Sequence, residues 1–260
     1  MERYYVDTAY GPTTVYRDGQ GRPLLLLHGA LADAQAYWSE VWEPLCDDYD
    51  VIVPDIPGIS RDDDEHPRSF AGTSRWLLDV LDQLRIGECA LVGHGLGAQI
   101  ATEFAAAHPT RVRQLVLVGA PPTSALPRRM RGALGRSSAM RFIAKEYFGL
   151  AQVAPTPADQ VDLPDEILTS LRAERPRTLP LVTEILTSEA TTSPLGSHSI
   201  LVITGEADTT RFGSPTALEA ATTSLPGRRF ECLEGGGHFC QINAPKAFIE
   251  SLDTFLRRHR

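Results

Sequence analysis

The stretch Cys89-Ala90-Leu91-Val92-Gly93-His94-Gly95-Leu96-Gly97 decides the fold. A short, wholly apolar run of this kind suits a strand buried on both faces. It runs straight into glycines at 93, 95 and 97, and a helix is expected from about Ala98 to Ala107, closed by His108-Pro109. Strand, sharp turn and helix make one unit of a parallel sheet. The same grammar lies on either side. Pro23-Leu24-Leu25-Leu26-Leu27 ends at His28-Gly29, Val51-Ile52-Val53 ends at Pro54-Asp55, and Leu115-Val116-Leu117-Val118 follows the helix. Thr73–Leu84 places Trp76, Leu77, Val80, Leu81 and Leu84 on one helical face. Arg3–Asp7 and Thr13–Arg17 read as a leading hairpin with its turn at Gly11-Pro12.

From Pro121 to about Ser197 the alternation stops. Helical pieces remain, broken by prolines at 127, 155, 157, 164, 176, 180 and 194. It resumes with Ile200-Leu201-Val202-Ile203, a helix near Pro215–Ser224, a strand near Arg229–Leu233 and a last helix near Pro245–Arg258. Alternation on both sides of the break implies one doubly wound, mostly parallel α/β sheet built from residues 1–120 and 198–260. Residues 121–197 are then a helical cap inserted above the carboxyl edge, where such sheets bind ligands.

The chain has 260 residues, 42% of them hydrophobic and 22% charged, enough for a full core. The net charge of −8 argues against a nucleic-acid partner, which calls for a basic face. No run approaches the roughly 18 apolar residues of a membrane span. The start, Met1-Glu2-Arg3-Tyr4-Tyr5, lacks the basic-then-apolar plan of a signal peptide. Four scattered cysteines form no C-x-x-C pair, so neither a zinc site nor a redox motif is expected, and a reduced, cytoplasmic setting is the default.

Six short motifs, in order and at strand ends, resemble the α/β-hydrolase superfamily. They are His28-Gly29, Asp55-Ile56-Pro57-Gly58, Gly93-His94-Gly95-Leu96-Gly97, His108-Pro109 with Arg111-Val112, Gly205-Glu206-Ala207-Asp208, and Gly237-His238-Phe239. The resemblance implies that position 95 is the nucleophile of a G-x-S-x-G elbow, with Asp208 as the acid and His238 as the base, in the order this fold requires. It implies an oxyanion hole at the Ala30 and Leu96 amides, with Leu31 beside them against the substrate. No cofactor and no metal are implied. The partner is a small-molecule substrate, and the chain is a monomer or homodimer. His94, at the variable position of the elbow, is expected to point away from the site.

One residue departs from the pattern. Gly95 stands where the superfamily has Ser, Cys or Asp, and glycine cannot form an acyl-enzyme. Three readings follow. The first is a disabled serine hydrolase of small or medium esters, lactones or related acyl compounds. The second is a natural lyase, cyclase, isomerase or decarboxylase in which His238 moves a proton and the oxyanion hole steadies the charge. The third is a pseudoenzyme that binds without turnover.

Other residues read more plainly. His28 reads as a support of the oxyanion loop and His108 as a helix stop. Glu206 and Asp55 are alternative acids. Trp38, Trp42 and Tyr37 read as core, and Cys240 as a small buried side chain rather than a displaced nucleophile. Ser60 and Ser124 are hydroxyls near loop mouths without supporting geometry. Asp62-Asp63-Asp64-Glu65 reads as a solvated loop. Arg128, Arg129, Arg131, Arg136, Arg141 and Lys145 read as a solvated helix face that could also meet an anionic substrate.

Overall fold

Leu25 and Leu27 pack with the buried Leu91, Leu115, Leu117 and Val202, whereas Leu24 and Leu26 pack with Val92, Val116, Val118 and Leu201. Both sets are buried, so strands that alternate with period two still read as continuous apolar runs. In the computed structural model the described residues are 1–59, 65–120, 163–172, 178–188, 195–196, 198–208, 214–223 and 227–258. Ser60, Asp62, Asp63, Asp64, Ser124 and the basic residues 128–145 lie outside them.

The strands are β1 (Glu2–Thr8), β2 (Gly11–Asp18), β3 (Arg22–Leu27), β4 (Tyr49–Pro54), β5 (Cys89–His94), β6 (Val112–Val118), β7 (Ser199–Gly205) and β8 (Arg228–Leu233). They form one sheet in the order β1-β2-β4-β3-β5-β6-β7-β8. β1 and β2 are antiparallel additions at one edge, and β4 through β8 run parallel. The hairpin turn falls at Ala9-Tyr10, not Gly11-Pro12. Gly11 already pairs with Thr8 as the first residue of β2, its φ of 83° turning the chain back.

The helices are α1 (Ala34–Leu45), α2 (Phe70–Gln83), α3 (Leu96–Ala107), α4 (Asp165–Arg172), α5 (Leu179–Thr187), α6 (Pro215–Thr223), α7 (Cys240–Asn243) and α8 (Pro245–Arg258). α2, α3 and α6 bury their apolar residues on the Leu25 face, and α1 and α8 on the Leu24 face. α1 was not evident in the sequence. Asp33 caps it by accepting the Ala36 N–H at 2.9 Å. It carries Tyr37, Trp38 and Trp42 into the core, as read.

The parallel strands run β3 then β4 to one side, and β5 returns to the other side of β3. That reversal is the topological switch point, where open α/β sheets hold ligands. The carboxyl ends align there: Leu27 pairs with Gly93, His94 with Val118, and Val118 with Ile203. Of the segment expected as a cap, α4 and α5 are described. Ile167 and Leu168 of α4 join the Leu24-side core, and Leu181, Val182, Ile185 and Leu186 of α5 join the Leu25-side core. No helix among the described residues is long and apolar enough to cross a membrane.

Candidate active site

Gly95 turns β5 into α3 with φ 54° and ψ −111°, a left-handed conformation that costs a side chain strain. Its N–H donates to Val118 O at 3.0 Å, which ties the turn to the end of β6. The flanking glycines are there for space. A Cβ at Gly93 would lie 2.4 Å from Gly97 O, and one at Gly97 would lie 2.4 Å from Leu27 O and 2.5 Å from His28 O. Among the described residues, nothing lies within 4 Å of a Cβ at Gly95. Among the described residues the turn is therefore crowded at Gly93 and Gly97 and uncrowded at Gly95. α3 begins at Leu96, two residues earlier than read, because the reversal is complete at Gly95.

Asp208 and His238 come together from the loops after β7 and β8. His238 Nδ1 lies 2.8 Å from Asp208 Oδ2, and Thr204 Oγ1 donates to the same oxygen at 3.3 Å. Asp208 is 3% exposed. An ionised carboxylate only accepts, so in the neutral imidazole Nδ1 carries the proton and Nε2 keeps its lone pair. The imidazole packs on Gly119, where a Cβ would sit 2.9 Å from its Cε1. Gly119 directly follows Val118, the acceptor of Gly95, so the imidazole and the β5–α3 turn share one strand end. Gly205 lets the two loops meet: a Cβ there would lie 2.2 Å from Gly236 C and O. Ala207 N–H then donates to Gly236 O at 2.9 Å, and Asp208 N–H to Gly205 O at 3.1 Å.

The loop after β3 is organised by His28. Its buried Nε2 accepts the Ile56 N–H at 2.8 Å, which leaves the proton on Nδ1 to donate to Gly29 O at 2.8 Å. Burial holds its pKa below the ordinary histidine value, in keeping with a neutral ring. Trans peptide geometry then turns the Ala30 N–H away from His28. Neither the Ala30 N–H nor the Leu96 N–H donates to another described residue, and Leu96 N is a first-turn helix amide. The Leu31 N–H is different, because it donates to Tyr37 Oη at 3.3 Å. Leu31 is thus set apart from the other two residues expected at the oxyanion hole. Asp55, the other carboxylate weighed as the acid, is placed elsewhere: it is buried and accepts the Ala34 N–H at 2.9 Å at the start of α1, while His238 Nδ1 lies against Asp208. Glu206 is exposed. Cys240 is fully buried, and burial pushes its thiol well up, away from the thiolate a nucleophile needs. His108 ends α3, as read, with Nε2 at 3.0 Å from Ser74 Oγ.

His94 corrects the sequence reading. It does not point away. The alternation of β5 carries it onto the face of Ala90 and Val92, where the His238 loop passes. Its Nε2–H donates to His238 O at 2.9 Å, its ring meets the His238 ring edge-on at 4.8 Å, and it stacks on Phe239 at 5.2 Å. Burial first, and His238 second, push its pKa down to about 3. The sign follows. The folded value lies below the unfolded value of about 6.5, so this stability is complete above pH 6.5 and is lost as pH falls toward 3. The loss is on the order of a few kcal/mol. His94→Gln should therefore lose less of its thermal midpoint between pH 7 and pH 4.5 than the parent chain. Equal losses in a pair of calorimetric scans would refute it.

Among the described residues no group of three His, Cys, Asp or Glu side chains is placed to hold a metal. A sequence model of the α/β-hydrolase fold family matches residues 22–160, a little over half of the chain. A protein of Pseudomonas savastanoi pv. phaseolicola, named "Putative carbamate hydrolase RutD", is 27% identical over 251 residues, 90% of this chain and 93% of its own length. The 2-hydroxymuconate semialdehyde hydrolase of Pseudomonas sp. strain CF600 is 34% identical over 112 residues, where the match spans 39% of that protein. Among solved structures, a thermophilic esterase from Thermogutta terrifontis superposes with a TM-score of 0.75 at 22% identity, over 100% of this chain and 99% of that one. The mostly parallel eight-stranded sheet with helices on both faces and the matching family model agree: this chain belongs to the α/β-hydrolase fold family.

Proposed function

We propose that this chain is an acyl-group hydrolase scaffold whose nucleophile position, at the elbow, is held by Gly95. Its substrate class is a small or medium ester, lactone or related acyl compound. His238 is the general base, Asp208 its orienter, and the Ala30 and Leu96 amides the oxyanion hole. Residues 121–197 form the cap over this site, and specificity lives in the cap's side chains. One observation carries the reading: an assembled Asp208–His238 pair stands on the same strand end as a turn whose central glycine, at φ 54°, has no described residue within 4 Å of where a Cβ would sit. Relatives named as esterase and carbamate hydrolase support it, and the semialdehyde hydrolase shares the name hydrolase.

With glycine at 95, the site binds an acyl compound and polarises its carbonyl without attacking it. Adding serine supplies the missing step. His238 Nε2 takes the Ser hydroxyl proton, the oxygen adds to the carbonyl, the oxyanion rests on the two amides, and the alcohol leaves with the proton. Intact mass spectrometry after exposure to an aryl fluorophosphonate tests this. Gly95→Ser should gain one adduct and the parent chain none. A folded Gly95→Ser chain that never labels removes this reading.

A second reading has its own support: the Asp208–His238 pair is complete as a base without any nucleophile. Such a base would move a proton at carbon beside a carbonyl whose enolate the amides hold. Deuterium uptake from heavy water into a carbonyl compound, abolished by His238→Ala, would favour it. Ligand binding with neither adduct nor exchange would leave a pseudoenzyme.

A further inference from the structure

Two consecutive peptides form the turn after β3, and different parts of the chain hold them. His28 Nδ1 holds the Gly29–Ala30 peptide from inside the core. The Ala30–Leu31 peptide is gripped at both ends. Its N–H donates to Tyr37 Oη at 3.3 Å, and its carbonyl accepts from Thr178 Oγ1 at 2.9 Å. Tyr37 is buried on α1, so close under the turn that a Cβ on Gly29 would lie 2.5 Å from its hydroxyl. Thr178 comes from the insertion between β6 and β7, immediately before α5.

The Thr178 hydroxyl has a nearer use that it does not take. A threonine preceding a helix normally accepts an amide of the first turn. Here the residue has φ −75° and ψ −13°, its side chain makes no capping bond to α5, and it reaches across to Ala30 instead. α5 itself is well seated. Its Leu181, Val182, Ile185 and Leu186 join the core, and Ser188 Oγ, just past its end, accepts the Phe70 N–H at 2.9 Å.

We propose that Thr178 and Tyr37 are positioning residues of the oxyanion hole, and that they couple the inserted segment to it. A planar peptide anchored at both its N–H and its C=O cannot rotate. Fixing the Ala30–Leu31 plane fixes the torsions on either side of it, and so the direction of the Ala30 N–H. The segment that would cover a bound acyl compound thus also completes the donor that receives its oxyanion. The catalytic part of this inference rests on the reading of Ala30 under Proposed function; the mechanical part does not.

Two arms test it. In the Gly95→Ser chain turning over an aryl ester, Thr178→Val and Tyr37→Phe should each lower kcat about tenfold while KM stays within about twofold, because a misaligned donor fails the transition state. The double variant should cost little more than either alone, since both act on one peptide. Thr178→Ser, which keeps the hydroxyl, should recover the rate. Unchanged kcat in both single variants would overturn the catalytic part. The second arm uses the chain as it stands. Amide hydrogen exchange at Leu31 should speed up about tenfold or more in Tyr37→Phe, and also in Thr178→Val, although Thr178 does not touch that amide. Leu31 exchange indifferent to Thr178→Val would overturn the coupling. If Gly95→Ser neither labels nor turns over, the acyl reading fails, and the exchange arm still decides the clamp.

Discussion

Gly95→Ser should raise turnover of an activated aryl ester by roughly three orders of magnitude or more, and should lower stability while doing so. The rate follows from how triads fail: removing the nucleophile from an intact triad costs about 10⁶ in kcat, with the oxyanion hole and binding left to supply the remainder. The stability loss follows from the backbone. At φ 54° and ψ −111° a side chain is strained by about 1–3 kcal/mol, which glycine escapes. No described residue adds a steric term to it, because none lies within 4 Å of a Cβ at this position. Gly95→Ala separates the two effects. It should lose the same stability as the serine variant and gain no turnover. Steady-state kinetics and denaturant midpoints on the three chains decide the matter. A serine variant as stable as the parent would mean that the turn relaxes when glycine leaves. A stable, inactive serine variant would mean that position 95 was never meant to attack.

The sheet and this turn were legible because both rest on local patterning. Leu24–Leu27 and Cys89–Val92 are apolar runs that a strand buried on two faces requires, and glycines at 93, 95 and 97 mark a sharp turn with no room for a side chain at 93 or 97. Asp208 and His238 were legible through order and strand-end position. What escaped was set by contacts between distant segments. His94 was misplaced because its direction depends on where the His238 loop crosses β5. α1 was missed because its start is fixed by Asp33 and by the buried carboxylate of Asp55, twenty-one residues beyond Ala34. Thr178 gave no signal at all. Its partner lies 148 residues earlier, and no pattern in the chain relates a threonine ahead of α5 to a carbonyl after β3.

Gly205→Ala should be among the most destabilising single methyl additions in the protein, and should part the acid from the base. At Gly205 the obstacle is backbone: a Cβ would lie 2.2 Å from both C and O of Gly236 and 2.3 Å from Gly237 O, where no side chain can swing aside. Relief requires the end of β7 to move from the loop that carries His238. That movement breaks the Ala207 N–H to Gly236 O bond and lengthens the 2.8 Å contact between Asp208 and His238. Overpacking of this severity belongs with the largest single-site losses, about 4 kcal/mol or more. Gly235→Ala, in the same loop, is the fitting control. Its φ of 72° strains an alanine, yet no described residue lies within 4 Å of its Cβ, so its cost should stay near 1–2 kcal/mol. Urea midpoints measure the two losses. The separation of the pair reads out independently in the downfield Nδ1–H proton resonance of His238, which should persist in Gly235→Ala and vanish in Gly205→Ala. If that resonance survives in Gly205→Ala, the loops tolerate the added methyl without parting, and the close approach of Gly205 to Gly236 is not what brings Asp208 to His238.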